Sequence, residues 1–393
     1  MPWNGQTPVD LRQQFISRLH RGERMSDLCV EFGVSRKTGY KLKHRYDALG
    51  VGGLEDQSRA PRHHPHRTPP ELRELIEGAR RAHPTWGPRK LKVMLAERTG
   101  RPLPSASTIG TILERAGLSV RRPRRRRVGA GATPLTGAAA PNDVWCIDYK
   151  GQFRLGDQSY CYPLTVTDQY SRYLLECEAM AAINAEHARH ALELLFRAHG
   201  LPRVMRSDNG APFASTGLRG LSTLSVYWMR LGIRPERIRP AHPQDNGQHE
   251  RMHRTLKQAT TRPARANLLQ QQEAFDAFVA EFNTERPHEA LDMRRPAELY
   301  SSSPRPYPER LPEPTYPMHD DVLSVSAKGA IRLQRHRQLY LSQALAGQLV
   351  GIREAIDGRW LVSFLHLDLG YVERNDRFTP LPPGDTVSPM SPV

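Results

Sequence analysis

Apolar residues recur at helical spacing through the first third of the chain and at alternating or continuous spacing beyond it, so the architecture changes along its length. Residues 12–19 and 27–32 carry the helical period, and Ser26 is the expected cap of the second helix. Gly33 suits a tight turn, and Ser35 can cap a third helix that carries Arg36, Lys37, Lys41 and Lys43. A turn leading into a basic helix is the pattern of a helix-turn-helix module. Residues 71–82 and 89–98 repeat the pattern, and Ser107 is the expected cap of a helix running to 116, giving a second module of plain or winged type.

From residue 142 the period changes. Residues 144–149, 160–168 and 173–179 read as three strands joined by tight turns, 185–199 as a helix, 203–206 as a fourth strand, 222–231 as a helix, 233–239 as a fifth strand and 247–261 as a helix. Three hairpin-linked strands followed by α/β alternation imply a mixed five-stranded sheet with helices on both faces. After a Pro-rich stretch, short strand-like runs and the Asp357-Gly358 turn signal imply a small SH3-like β-barrel. The expected organisation is multidomain: an all-α helix-turn-helix domain over 1–60, a second over 61–120, a basic linker over 121–141, an α/β core over 142–302, a Pro-rich linker over 303–320, the barrel over 321–380 and a disordered tail over 381–393.

Charge sharpens this picture. The net charge is +16, and residues 1–130 hold 27 Lys and Arg against 12 Asp and Glu, whereas the remainder holds 30 against 29. A basic N-terminal third on a balanced body is the electrostatic footprint of a polyanion-binding arm. Arg124, Arg125, Arg126 and Arg127 extend that arm towards the core, where phosphate contact is expected. No apolar run approaches the ~20 residues of a membrane span, and a secretory leader is not expected. Cys29, Cys146, Cys161 and Cys177 show no metal-ligand or disulfide spacing and read as buried thiols of a cytoplasmic protein.

Three acids stand out. Asp148 lies inside the first core strand, Asp208 directly follows the fourth, and Glu250 lies in the first turns of a helix. A carboxylate within an apolar strand is costly unless paired or bound to metal. Three converging at a sheet edge suit hard divalent cations, which take oxygen ligands. His253, Arg254 and Lys257 follow Glu250 at three, four and seven residues, so all four are expected on one helix face, with Arg254 and Lys257 available to phosphate. Asp168 is expected to order a hairpin, Asp245 to cap the Glu250 helix, Ser207 to shape the loop presenting Asp208, and Trp145 to pack.

The motifs around these acids carry a resemblance. Trp145-x-x-Asp148, Ser207-Asp208-Asn209-Gly210-x-x-Phe213 and Asn246-Gly247-x-x-Glu250-Arg251-x-x-Arg254-x-Leu256-Lys257 resemble the three blocks of the DDE transposases of bacterial insertion sequences, which have a retroviral-integrase-like core. Phe282-Asn283-x-x-Arg286-Pro287-His288 is similar to that core's closing motif. The 41 residues between Asp208 and Glu250 exceed the family's usual separation, with 214–225 the expected extra length. The resemblance implies a ribonuclease-H-like core in which Asp148, Asp208 and Glu250 ligate two Mg²⁺ (or Mn²⁺) ions and perform DNA cleavage and strand transfer. It implies as partners the terminal inverted repeats of a mobile element, a target DNA and at least a second copy of the chain, in a bacterial, nucleoid-associated setting. The alternative is a catalytically idle DNA-binding regulator, which a decayed triad would mark.

Overall fold

The structure is a computed structural model that describes residues 7–58, 67–119, 135–239, 242–333, 338–355, 357–374 and 377–382. The Arg run, including Arg124, Arg125, Arg126 and Arg127, and the tail from 383 lie outside the described residues. The chain divides at Thr68 into two units.

In the first unit Pro8–His20 (α1), Met25–Glu31 (α2) and Arg36–Leu49 (α3) pack around Phe15, Ile16, Leu28, Cys29, Leu42 and Leu54. Thr7 opens α1 with a capping box, its hydroxyl accepting from the Asp10 amide at 3.2 Å while the Asp10 carboxylate accepts from the Thr7 amide at 2.7 Å. Ser35 caps α3 by accepting from the Thr38 amide at 3.2 Å. Ser26 caps nothing, because α2 begins one residue earlier, after Arg24. Gly39 allows α3 to seat on α2: a Cβ there would lie 2.7 Å from Met25 Sδ and 2.8 Å from Cys29 Sγ. Arg36, Lys37, Lys41 and Lys43 of α3 are exposed.

The second unit starts with Pro70–Ala82 (α4), Pro88–Thr99 (α5) and Ala106–Arg115 (α6), which enclose the fully buried Ile76, Trp86, Leu91, Ile109 and Leu113. Ser105, not Ser107, caps α6 by accepting from the Thr108 amide at 3.2 Å. Because α6 begins at Ala106, Ser107 already lies in its first turn. No wing strand follows among the described residues.

The core sheet is built from Val144–Tyr149 (β1), Phe153–Arg154 (β2), Tyr160–Asp168 (β3), Leu174–Met180 (β4), Val204–Ser207 (β5) and Arg234–Arg237 (β6). Its five main strands run β4-β3-β1-β5-β6, antiparallel among the first three and parallel from β1 onwards, with the short β2 pairing the start of β3. This is the expected mixed five-stranded sheet. Ala185–His199 (α7) and Thr223–Arg230 (α8) contribute Leu192, Phe196 and Trp228 to the core on one face, with Trp145, Ile147 and Met205 from the strands. On the other face Gly247–Thr260 (α9) and Leu268–Ala280 (α10) pack Met252, Leu256, Phe275 and Phe278 against Cys161, Leu174 and Cys177. All four cysteines are buried free thiols. Helices therefore cover both faces, and the carboxyl ends of β1 and β5 emerge beneath α9.

The C-terminal segment has Asp321–Ser324 (β7), Ala330–Arg332 (β8), Gln338–Tyr340 (β9), Leu349–Glu354 (β10), Trp360–Phe364 (β11), Leu367–Val372 (β12) and Phe378–Pro380 (β13). The expected barrel is not closed. An antiparallel sheet runs β13-β12-β11-β10-β7 with its two edges unjoined, and β8 and β9 form a separate ribbon. The reason lies in the core: Leu221, Val226 and Met229, at and within α8, pack with Val350, Val362 and Phe364, so the sheet's apolar face is covered without closure.

Candidate active site

Asp148 and Asp208 are brought together by strand register. β1 and β5 pair in parallel with Trp145 against Met205 and Cys146 against Arg206. Asp148 stands two residues beyond the last of these pairs on β1, and Asp208 directly follows β5, its parallel neighbour. Asp208 follows the last residue of β5, where the Ser207 hydroxyl donates to the Asp208 carbonyl at 3.1 Å and the Gly210 amide donates to Asp208 Oδ1 at 3.1 Å. Ser207 thus shapes that loop as expected. The Asn209 amide instead donates to the Ile238 carbonyl at 2.7 Å, tying the loop to the strand beyond it.

Electrostatics link these groups to Glu250. The Asp148 carboxyl is pushed up to about 7, first by burial, then by the negative charge of Asp208, with a smaller push from Glu250. Three acids therefore share one field, and the middle one resists ionisation while no cation is present. Glu250 occupies the first turn of α9 and is exposed. One turn before it, Asn246 Nδ2 lies 3.5 Å from Asp148 Oδ2. Asp245 does not cap α9, because its carboxylate is taken by Arg239 at 2.9 Å.

The expected single stripe on α9 splits into two faces. Arg254 and Lys257 are exposed with Glu250, but His253 turns inward beside His249. Both imidazole Nε2 atoms lie 2.7 Å from the Thr165 hydroxyl, and His249 Nδ1 lies 2.9 Å from the Thr167 hydroxyl. Thr165 is the cross-strand partner of Asp148, and its hydroxyl donates to the Asp148 carbonyl at 3.1 Å. His253 Nδ1 lies 3.8 Å from Asp148 Oδ2. Burial pushes His249 down to about 3 and His253 down to about 2, so both imidazoles are neutral. Asp148, His249 and His253 offer ligand atoms within 4.8 Å of one another, a set to which Asp208 and Glu250 do not belong. The buried histidine pair was missed in the sequence, where its signal is His249 and His253 at four-residue spacing beside Met252 and Leu256.

The remaining candidates have structural duties. Asp168 closes the β3–β4 turn, accepting from the Ser171 amide at 2.8 Å and the Asn142 amide at 2.7 Å. Trp145 is fully buried and donates to Asn142 at 3.1 Å, so it packs as expected.

An Integrase core domain family matches residues 138–243, and a second of the same description matches 231–296. A Homeodomain-like domain matches residues 38–113 and a Helix-turn-helix domain 11–62. Residues 138–296 are thus similar to integrase core domains and residues 11–113 to helix-turn-helix domains. It is 27% identical over 231 residues to the insertion element IS407 uncharacterized 31.7 kDa protein of Burkholderia multivorans, covering 58% of this chain and 78% of that one. It is 26% identical over 271 residues to the Gag-Pol polyprotein of baboon endogenous virus, covering 66% of this chain and spanning only 15% of the polyprotein. Among solved structures it is similar to the HTLV-2 integrase catalytic core domain, at 14% identity and a TM-score of 0.34 over 42% of this chain and all of that one.

Proposed function

We propose that the chain is a DDE transposase that cleaves DNA at the ends of a mobile element and joins those ends to target DNA. The observation that carries this reading is the placement of Asp148 on β1 and Asp208 at the end of the neighbouring parallel β5, with burial and the charges of Asp208 and Glu250 raising the Asp148 carboxyl. Like charges are gathered there at an energetic cost that a divalent cation would reverse.

The donor set suits Mg²⁺ or Mn²⁺, with Asp148, Asp208 and Glu250 as the ligands of two ions. Such a pair activates an attacking oxygen and stabilises a leaving oxygen in phosphoryl transfer. The chain's own residues do the rest. Asp148 would hold such an ion in its ionised form, and His253 Nδ1, 3.8 Å from its Oδ2, belongs to the buried pair that orients it. Thr165, His249 and His253 fix α9 against β3, which sets where Glu250 begins. Arg254 and Lys257, exposed on the same helix, are placed to meet backbone phosphates. Water attacks a phosphodiester at the element's end, and the freed 3′-hydroxyl then attacks the target, so no covalent enzyme intermediate is needed.

In this reading Arg36, Lys37, Lys41 and Lys43 of α3 read or grip the terminal repeats, and the chain works as at least a dimer, since two ends must be held together. The setting is the bacterial cytoplasm and its nucleoid. No helix among the described residues is long and apolar enough to cross a membrane. The test is strand transfer on labelled DNA carrying the element's ends, with Mg²⁺ or Mn²⁺ present; an idle regulator would bind that DNA and leave it uncut.

A further inference from the structure

Beside α9 lies a cavity of about 390 Å³ between the α4–α6 domain and the core. Lys90 of α5 lines it from one domain, and Arg172, Arg251, Arg254 and Arg286 line it from the other. None of these five cations forms an ion pair within 4 Å among the described residues. The acids nearby are committed elsewhere: Asp168 to the Ser171 and Asn142 amides, Glu281 to the Trp86 indole at 2.9 Å, and Glu289 to Arg89 at 3.3 Å. Arg286 is 93% buried by its 7% exposure, and among the described residues its guanidinium donates to the Thr85 hydroxyl at 3.0 Å. Arg172 Nε, from a residue of this lining, is buried with no hydrogen-bond partner among the described residues.

Five cations around one cavity, with a buried donor left unsatisfied, carry an electrostatic cost. Burial and the charge of Arg286 push Lys90 down to about 7, which registers that cost. An anion entering the cavity removes it. We propose that the cavity is a phosphodiester-binding subsite, in which backbone phosphates of a nucleic-acid strand are gripped between the second three-helix domain and the core. The volume leaves room for more than a single phosphate.

Position favours a strand over a free anion. Thr167 belongs to the lining and also meets His249 at 2.9 Å. It stands two residues along β3 from Thr165, the partner of Asp148, a step of about 7 Å. Arg251 follows Glu250 directly. A strand reacting at the three carboxylates therefore passes the mouth of the cavity, so the identity of the strand rests on the transposase reading, while the subsite itself rests on the cations.

The experiment is amine acylation of the full-length chain near pH 7 in EDTA, read residue by residue by mass spectrometry, with exposed Lys328 as the internal reference. A short DNA duplex, the corresponding single strand, or inorganic phosphate is added, and DNA binding is followed in parallel by fluorescence anisotropy. Expected is loss of Lys90 acylation with DNA, but not with inorganic phosphate at equal concentration, while Lys328 is unchanged. A variant carrying Arg172→Gln and Arg251→Gln is expected to flatten the log–log salt dependence of DNA binding by about 2. Unchanged Lys90 reactivity under saturating DNA would overturn the proposal, and equal protection by inorganic phosphate would make the cavity a free-anion pocket instead. Because EDTA removes metal, protection is independent of catalysis. A chain that protects Lys90 yet never cleaves DNA keeps the subsite and loses the transposase reading.

Discussion

The hydroxyl of Thr165 on β3 lies 2.7 Å from Nε2 of His253 on α9. The same oxygen serves His249 at the same distance, so one hydroxyl joins the helix that carries Glu250 to the strand that faces Asp148. Thr165→Val keeps the shape and removes the oxygen, leaving two buried imidazoles short of a partner. The expected loss is about 2–4 kcal/mol of stability, since each orphaned polar group costs ~1–3 kcal/mol. Urea denaturation measures it. Strand transfer is expected to fall further than DNA affinity, and Thr165→Ser to restore much of both.

Trp86 ties the second helical domain to the core. It is fully buried, stacks on His83 with centroids 4.2 Å apart and donates to Glu281 at 2.9 Å. Trp86→Phe retains most of the packing and loses a charge-assisted hydrogen bond, an expected cost of ~1.5–3 kcal/mol. Trp86→Ala adds a cavity and is expected to cost ~3–5 kcal/mol. Thermal unfolding followed by circular dichroism ranks the two; equal midpoints for wild type and Trp86→Ala would refute the anchoring role.

Much of this was legible in the sequence. The helical periods, the Ser35 cap and the strand pattern from 144 place the elements, because local hydrogen bonding and face burial set them. The neighbouring placement of Asp148 and Asp208 follows from two strands being parallel neighbours, which alternation of strand and helix implies. Other features depend on which surface meets which. The C-terminal sheet stays open because α8 covers its apolar face, and nothing within residues 321–380 announces that cover. His253 turns away from Glu250 because Thr165 awaits it on a strand 88 residues earlier in the chain. Asp245 looks like a helix cap, yet Arg239 holds its carboxylate at 2.9 Å.

Glu176 on β4 should make stability fall with rising pH. Burial first, and the charge of Glu178 second, push its carboxyl up to about 7 from the model-peptide value of 4.5. The folded state therefore holds a proton that the unfolded chain releases, and its stabilising effect is present below about pH 4.5 and lost as pH rises through about 7. Glu176→Gln is expected to raise stability at pH 8 by up to about 3 kcal/mol and to change little near pH 4. Denaturation midpoints at the two pH values decide it, and an equal shift at both would contradict the assignment.

The thiols should be silent in the folded protein. Burial pushes Cys146 up to about 11 and Cys161 up to about 12, and raises Cys177 as well, disfavouring the reactive thiolate. Ellman's reagent at pH 8 is expected to find no fast-reacting cysteine in the native chain and all four after denaturation. A rapid native thiol would place one of them at an opening the structure does not have.

The central claim is that Asp148, Asp208 and Glu250 form one metal-dependent centre acting on DNA. Its most direct test is strand transfer on labelled element ends with Mg²⁺ or Mn²⁺, comparing wild type with Asp148→Asn, Asp208→Asn and Glu250→Gln. Joined products from the wild type alone, with DNA binding retained in all three variants, are the predicted result. Joined products from Glu250→Gln at the wild-type rate, or binding without cleavage by the wild type on assembled ends, would contradict it.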